Sequence, residues 1–317
     1  MSVKISNIDS RDAFFDELYQ IARADANVIF LTADMGAFSL ERFKRDLPRQ
    51  YFNVGVAEQN MVSVAAGLAL SGKKVFVYSI VPFATLRCYE QIKVDLCCMN
   101  LPVVVVGIGA GVMYGGDGPT HHALYDIAVM RVLPEMTIYN PADSAATAAC
   151  ARLAYQALGP VYVRLEKGKL PLWYDGGKEN FSAGFAVLRD GKDLTVVASG
   201  LMVHQAMAAA ERLASAGISA RVVDLYRVKP FAAAELLALL SDGDKVVSLE
   251  ENSGVGGIGS LLAESLADAG RAVRLKRIAF PDEHCYEACS REDIHAIYDL
   301  DVDGITRTIQ TWVNAGR

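Results

Sequence analysis

At 317 residues the chain exceeds the usual span of one domain, so two compact units are expected. Hydrophobic residues make up 52% and charged residues 21%, the profile of a globular α/β protein rather than a fibrous or disordered one. A formal net charge of −6 without any Lys/Arg-rich block argues against a nucleic-acid or anionic-membrane partner.

Met1 to Arg11 is polar and mixed in charge, and it lacks the charged segment and apolar run of a secretory signal, so a cytoplasmic protein is expected. Apolar runs such as Leu101 to Ile108 are too short to span a bilayer, and their β-branched residues suit buried parallel strands. The cysteines, Cys88, Cys97, Cys98, Cys150, Cys285 and Cys289, form neither a Cys-x-x-Cys pair nor a zinc spacing and are expected as buried thiols.

In chain order, Phe14, Phe15, Leu18, Ile21 and Ala22 predict a helix over 11–24 with Ser10 or Asp9 as its cap, followed by a strand over 28–31. The pattern continues with a strand over 52–54, a helix over 58–70, a strand over 74–78 and a helix over 85–98. Then come a strand over 103–107, a glycine-rich stretch over 107–118, a helix over 124–131 and a strand over 136–139. A helix over 144–155 and a strand over 161–165 complete the series. This alternation predicts a parallel sheet covered on both faces, with ligands at the carboxyl ends of its strands. From Lys167 to Asp190 the periodicity is lost, which places a linker around Trp173 to Gly184. The expected organisation is a first domain over 1–175, a linker over 176–190 and a second doubly wound α/β domain over 191–317. In the second, strands over 194–198, 220–224, 245–249 and 274–278 alternate with helices over 201–216, 232–240 and 258–269, and a last helix covers 303–313.

The stretch Asn53-Val54-Gly55-Val56-Ala57-Glu58-Gln59-Asn60-Met61 sets a carboxylate at the start of an otherwise apolar helix. Val62, Val64, Ala65, Ala66, Leu68, Ala69 and Leu70 follow, which predicts a helix buried nearly all round that takes Glu58 into the interior. A buried carboxylate requires a partner. Taken alone, Glu58 reads equally well as an acid that satisfies open backbone N–H groups at a helix N-terminus.

The stretch resembles the pyrimidine-binding domain of thiamine-diphosphate enzymes of the transketolase type, whose catalytic glutamate sits in a Gly-x-Ala-Glu-Gln-x-Met setting. The resemblance implies that Glu58 hydrogen-bonds N1′ of the aminopyrimidine and promotes the imino tautomer that activates the thiazolium. It also assigns roles elsewhere. Phe83, in Pro82-Phe83-Ala84-Thr85-Leu86-Arg87, matches an aromatic that stacks on the aminopyrimidine, although a lone Phe is usually core. His121, in Gly118-Pro119-Thr120-His121, matches the family's Gly-Pro-Thr-His, whose histidine faces the thiazolium and the substrate; by itself a loop histidine is commonly solvent-exposed. His122 stands where relatives mostly carry glutamine, adding a group that can titrate near neutral pH. Asp34, in Thr32-Ala33-Asp34-Met35, matches an aspartate near the cofactor, with Met35 beside it. Arg11 aligns with an arginine that contacts the phosphate of sugar substrates. Lys167 replaces a second phosphate-binding arginine and lacks its bidentate fork. Arg11, Asp34 and Lys167 read equally well as surface residues. Two departures bear on substrate: Gly109 to Tyr114 holds no counterpart of a phosphate-contacting histidine, and Phe38 stands in place of a serine.

Two glycine motifs point elsewhere. Gly254-x-Gly256-x-x-Gly259 has the outline of a dinucleotide fingerprint, but Glu250 and Glu251 crowd its approach and no acidic residue ends a second strand about twenty positions on. Gly116-Asp117-Gly118 with Asn140 imitates the family's Mg²⁺ and diphosphate motif, yet it runs into Pro-Thr-His instead of opening a helix. The metal and diphosphate anchor is therefore expected on another chain. The resemblance covers the C-terminal two-thirds of a transketolase and implies a split enzyme, an α2β2 heterotetramer whose partner holds Mg²⁺ and the thiamine diphosphate tail. Together they would transfer a two-carbon ketol unit from a ketose to an aldehyde. The alternatives are the beta subunit of a 2-oxo acid decarboxylating component, a 1-deoxyxylulose-phosphate-synthase-like enzyme, and a non-catalytic regulatory paralogue. Retention of Glu58, Phe83 and His121 together speaks against the last.

Overall fold

The computed structural model describes residues 4–175 and 179–315. Residues 176–178, where the expected linker begins, and 1–3 of the polar N-terminus lie outside the described residues. The chain forms two compact units, Met1–Ala110 with Val129–Phe181, and Gly111–Ala128 with Ser182–Arg317.

The first unit opens with helix α1 (Ser10–Ala24), which starts because the Asp9 carboxylate accepts the Arg11 N–H at 2.9 Å. Its Phe14, Phe15, Leu18 and Ala22 form one buried stripe. Strand β1 (Val28–Thr32), helix α2 (Leu40–Asp46), strand β2 (Tyr51–Asn53), helix α3 (Glu58–Leu70) and strand β3 (Lys74–Ile80) follow. After these come the single turn α4 (Val81–Ala84), the short α5 (Tyr89–Gln91), strand β4 (Val103–Ile108), helix α6 (Asp126–Arg131), strand β5 (Thr137–Tyr139), helix α7 (Ser144–Gln156) and strand β6 (Val161–Leu165). Within this unit the strands lie in the order β5-β6-β4-β3-β1-β2 and pair in parallel. Every residue of β1, β4 and β6 is buried, as the β-branched runs demand of strands covered on both faces. Edge-on aromatic contacts tie α1 to the sheet, with the Phe15 and Tyr78 rings 4.8 Å apart.

Three local readings are corrected. Helix α3 is not buried all round: Glu58, Met61, Val62, Ala65, Ala66 and Ala69 face inward, whereas Val64 and Leu70 are 39% and 63% exposed. Its apolar residues exceed what one 3.6-residue stripe can bury, so the surplus lies on the outer face. The helix expected over 85–98 is broken, because the Thr85 hydroxyl bonds the Val81 carbonyl at 2.7 Å and ends α4 there. Beyond α5 the chain continues as a π-type turn over Ile92–Cys97. Cys98 is exposed rather than buried, and no described cysteine is in a disulfide.

The second unit comprises β7 (Ala186–Arg189), β8 (Leu194–Ala198), α8 (Met202–Ser215), β9 (Ala220–Asp224), β10 (Arg227–Lys229), α9 (Ala233–Leu237), β11 (Lys245–Ser253), α10 (Ile258–Asp268), β12 (Arg274–Phe280), α11 (Arg291–Ile297) and α12 (Val302–Asn314). Its sheet runs β12-β11-β8-β9-β7, parallel except for the β7–β9 pair. Strand β7 lies inside the span read as linker. β11 runs four residues past its expected end and carries Glu250 to Ser253 into buried positions. Both chain halves are thus doubly wound α/β units. Among the described residues no helix is long and apolar enough to cross a membrane.

Candidate active site

In the first unit the sequence-identified residues gather beyond the carboxyl ends of parallel strands, where open α/β sheets bind ligands. Asp34 follows β1, Glu58 follows β2, Phe83 follows β3 and Lys167 follows β6. Arg11 joins them from the start of α1, which is pinned to the turn after β6. There the Ser10 N–H donates to the Gly168 carbonyl, and the Gly168 N–H to the Asp9 carboxylate, both at 2.9 Å.

Glu58 is only 3% exposed and is the first residue of α3, where open N–H groups and the helix dipole favour negative charge. Its Oε1 accepts from the Ser79 hydroxyl at 3.3 Å and its Oε2 from Arg87 Nη1 at 2.9 Å. The Arg87 guanidinium lies 3.9 Å from the centroid of the Phe83 ring, a cation–π stack. The break in the helix at Thr85 allows this, since Phe83 sits in α4 and Arg87 after it. A flat group bearing nitrogen donors is thus already accommodated between an aromatic face and a buried carboxylate, the two partners an aminopyrimidine ring requires. Ser79 and Arg87 are site residues that sequence reading missed; the available signal was Arg87 standing four positions after Phe83. The neighbouring Cys88 thiol is pushed up to about 12 by burial, reinforced by the Glu58 charge, and so is inert as a nucleophile.

Asp34 takes a left-handed conformation with φ 57°, uncommon outside glycine and characteristic of functional turns. It is held by Asn53, whose side chain accepts the Asp34 N–H at 3.1 Å and donates to its carboxylate at 3.0 Å. Met35 is half-buried, its carbonyl accepting from the Thr32 hydroxyl at 2.7 Å. Phe38 is 86% exposed. Arg11 is half-buried beside Asp12 at 3.5 Å, and Lys167 is exposed.

His121 and His122 belong to the second unit, in the segment Gly111–Ala128. His121 is half-buried, with Nδ1 3.0 Å from the Thr120 hydroxyl and its ring 6.3 Å from that of Tyr114. His122 is buried, and among the described residues neither of its ring nitrogens has a hydrogen-bond partner. The glycine motif at 254–259 opens α10, but Glu250 fills the helix N-terminus by accepting the Ile258 and Gly259 N–H groups at 2.7 and 2.9 Å. A dinucleotide pyrophosphate would need those same donors. Among the described residues no group of three or more His, Cys, Asp or Glu side chains is arranged to hold a metal ion.

Fold and site define a class, a two-domain α/β half built to present a buried glutamate and an aromatic face to a planar cofactor. Comparison with known proteins agrees. Residues 6–171 match the transketolase pyrimidine-binding domain, and residues 184–305 the transketolase C-terminal domain. One of the two subunits of the apulose-4-phosphate transketolase of Phocaeicola vulgatus is 38% identical over 308 residues, covering 96% of this chain and 98% of that one. The SqwH chain of the 6-deoxy-6-sulfo-D-fructose transketolase of Clostridium sp. is 38% identical over 282 residues, covering 88% and 87%. A solved split-gene transketolase, described as an inactive beta4 tetramer, superposes with a TM-score of 0.88 at 32% identity, covering 98% of this chain and all of that one. The chain belongs to the transketolase family, as the subunit of a split enzyme that carries the pyrimidine-binding and C-terminal domains. Membership implies thiamine diphosphate as cofactor and a second subunit as partner.

Proposed function

We propose that this chain supplies the pyrimidine side of a thiamine-diphosphate site in a two-component transketolase, and that its partner holds the diphosphate and Mg²⁺ in an α2β2 heterotetramer. The reaction is transfer of a two-carbon ketol unit from a ketose donor to an aldehyde acceptor. The observation that carries this reading is Glu58, buried and facing a donor stacked on Phe83.

Thiamine diphosphate, when bound, supplies the carbon nucleophile and the electron sink for carbon–carbon cleavage. Glu58 holds a proton at the ring nitrogen facing it, and its low exposure keeps that hydrogen bond from being diluted by water. Phe83 offers the ring face, and Arg87 balances the Glu58 charge. Asp34 and Met35 line the cofactor side. His121 stabilises or protonates the substrate oxygen, with His122 behind it in the same loop. Arg11 and Lys167 hold the anionic end of the sugar. The relatives named for apulose-4-phosphate and for 6-deoxy-6-sulfo-D-fructose act on sugars that are not common pentose phosphates. That agrees with the departures at Phe38 and Gly109 to Tyr114.

The test is reconstitution. The chain with thiamine diphosphate and Mg²⁺ alone gives no turnover, and addition of the diphosphate-binding subunit restores it. In the complex Glu58→Gln lowers kcat at least about a hundredfold, about 2.7 kcal/mol of transition-state stabilisation. Turnover by the chain alone would overturn the split-site reading, and a near-wild-type Glu58→Gln complex would remove Glu58 from the mechanism.

A further inference from the structure

The segment Gly111–Ala128, which carries His121, is gripped at both ends by one strand tail and one helix of the second unit. At its start the Val112 N–H donates to Glu251 Oε1 at 3.2 Å. Gly111 has φ 60°, and a Cβ there would fall 2.0 Å from the Glu251 carboxylate, so only glycine permits this approach. Gly115 packs just as closely, with an added Cβ 2.4 Å from the Cys289 carbonyl. At its far end the Ser253 N–H donates to the Leu124 carbonyl at 2.8 Å, and Asn252 Nδ2 to Asp126 at 3.0 Å. The Ala123 N–H closes the loop onto the Gly111 carbonyl at 2.7 Å. Residues 116–122 project between these anchors.

Glu251 is itself held rigidly. It is 3% exposed, and Arg291 clasps both its oxygens, through Nε at 2.7 Å to Oε1 and through Nη2 to Oε2. His295 Nε2 lies 2.7 Å from Oε1. Burial alone would push this carboxyl up, but Arg291 and His295 hold it below the usual carboxylate range, so it stays an acceptor. A buried carboxylate with two basic side chains has more partners than α11 and β11 need to pack. What it adds is a fixed, charged acceptor aimed at a backbone N–H of the histidine loop.

We propose that Glu251, fixed by Arg291 and His295, is a positioning residue for His121, so that the C-terminal domain sets the catalytic loop. The proposal rests on the reading of His121 as the group that faces substrate. It assigns the Glu250-Glu251 pair two tasks: Glu250 caps α10 and Glu251 clamps the loop.

The experiment uses the reconstituted complex with Glu251→Gln and, separately, Gly111→Ala, which leaves the Glu251–Arg291–His295 cluster in place but drives a Cβ against it. Amide hydrogen exchange over 112–123, kcat, and cofactor affinity are measured for each. Backbone exchange in the loop is expected to quicken at least about tenfold and kcat to fall at least about tenfold, the scale of a sub-ångström misplacement of a catalytic group. Cofactor affinity changes less than about twofold, because the loss of positioning falls on chemistry and not on uniform binding. In a His121→Ala background Glu251→Gln adds little further loss of kcat. Unchanged loop exchange in both variants, or a mobile loop with unchanged kcat, would overturn the proposal. If Glu251→Gln does not fold, Gly111→Ala decides by the same measurements. A wild-type complex without ketol transfer would instead sink the functional reading, while loop exchange still decides whether Glu251 clamps.

Discussion

Glu58 and Glu251 are both buried carboxylates paired with arginine, and the exposure of the arginine separates their roles. Arg87 is 42% exposed and reaches Glu58 through one nitrogen, so another donor can take its place at modest cost. Arg291 is 11% exposed and grips Glu251 with two nitrogens beside His295, an arrangement that no ligand exchanges and that costs heavily to break. One carboxylate is therefore available for chemistry and the other is committed to position. Lys74 shows burial acting on a cation. At 9% exposure, with Nζ on the Ala157 carbonyl at 2.7 Å, its ammonium is pushed down to about 8 by burial. The unfolded chain, with lysine near 10.4, binds more protons through that window, so this contribution to stability is lost as pH falls from about 10.4 to about 8. Urea unfolding should show wild type gaining stability relative to Lys74→Met between pH 8 and 10. Parallel pH profiles would contradict it.

At the scale of elements, the site depends on where helices start and stop. Helix α7 begins at Asp143, a fully buried carboxylate that accepts N–H groups from Ala146 at 2.8 Å, Trp173 at 2.7 Å and Tyr174 at 3.2 Å. It caps the helix and fastens the segment after β6 with the same side chain. Asp143→Ala leaves three N–H donors without this acceptor, and at about 1–3 kcal/mol for each buried unsatisfied group the expected loss is about 3 kcal/mol or more in denaturant unfolding. A loss below about 1 kcal/mol would show that water or neighbouring groups replace it. The interruption at Thr85 matters in the same way, since an unbroken helix over 85–98 would not have turned Arg87 back over Phe83.

For the whole molecule the open issue is substrate, and the expected anion-binding end is thinner than in relatives that use phosphorylated pentoses. Arg11 and Lys167 remain on hydrogen-bonded segments, while Phe38 is exposed where a serine would donate. Each charge-assisted hydrogen bond lost costs about 1.5–3 kcal/mol, so two losses weaken such a donor by one to several orders of magnitude. Steady-state kinetics of the complex with xylulose 5-phosphate and ribose 5-phosphate should give kcat/KM below about 10⁴ M⁻¹s⁻¹, the lower end of ordinary enzyme efficiency, and a modified sugar a higher value. Ordinary efficiency on the pentose phosphates would show that the partner supplies the missing contacts.

Much of this protein is legible in one dimension. Alternating β-branched runs and 3.6-residue stripes determine two α/β units, because burial on both faces or on one face leaves a periodic trace in the residues themselves. The start of α3 at Glu58 and the Gly-Pro-Thr-His loop are legible because each chemistry requires particular residue types at adjacent positions. Tertiary structure alone decides the rest. Arg87 on Glu58, Arg291 and His295 on Glu251, and Glu250 on the N-terminus of α10 join residues 8 to 44 positions apart. Such pairings are set by where strands end and loops return, and a charged residue has the same local neighbours whether it points to water or to a buried partner. The outer face of α3 shows the same limit from the apolar side: hydropathy records that Val64 and Leu70 avoid water, but not which surface covers them.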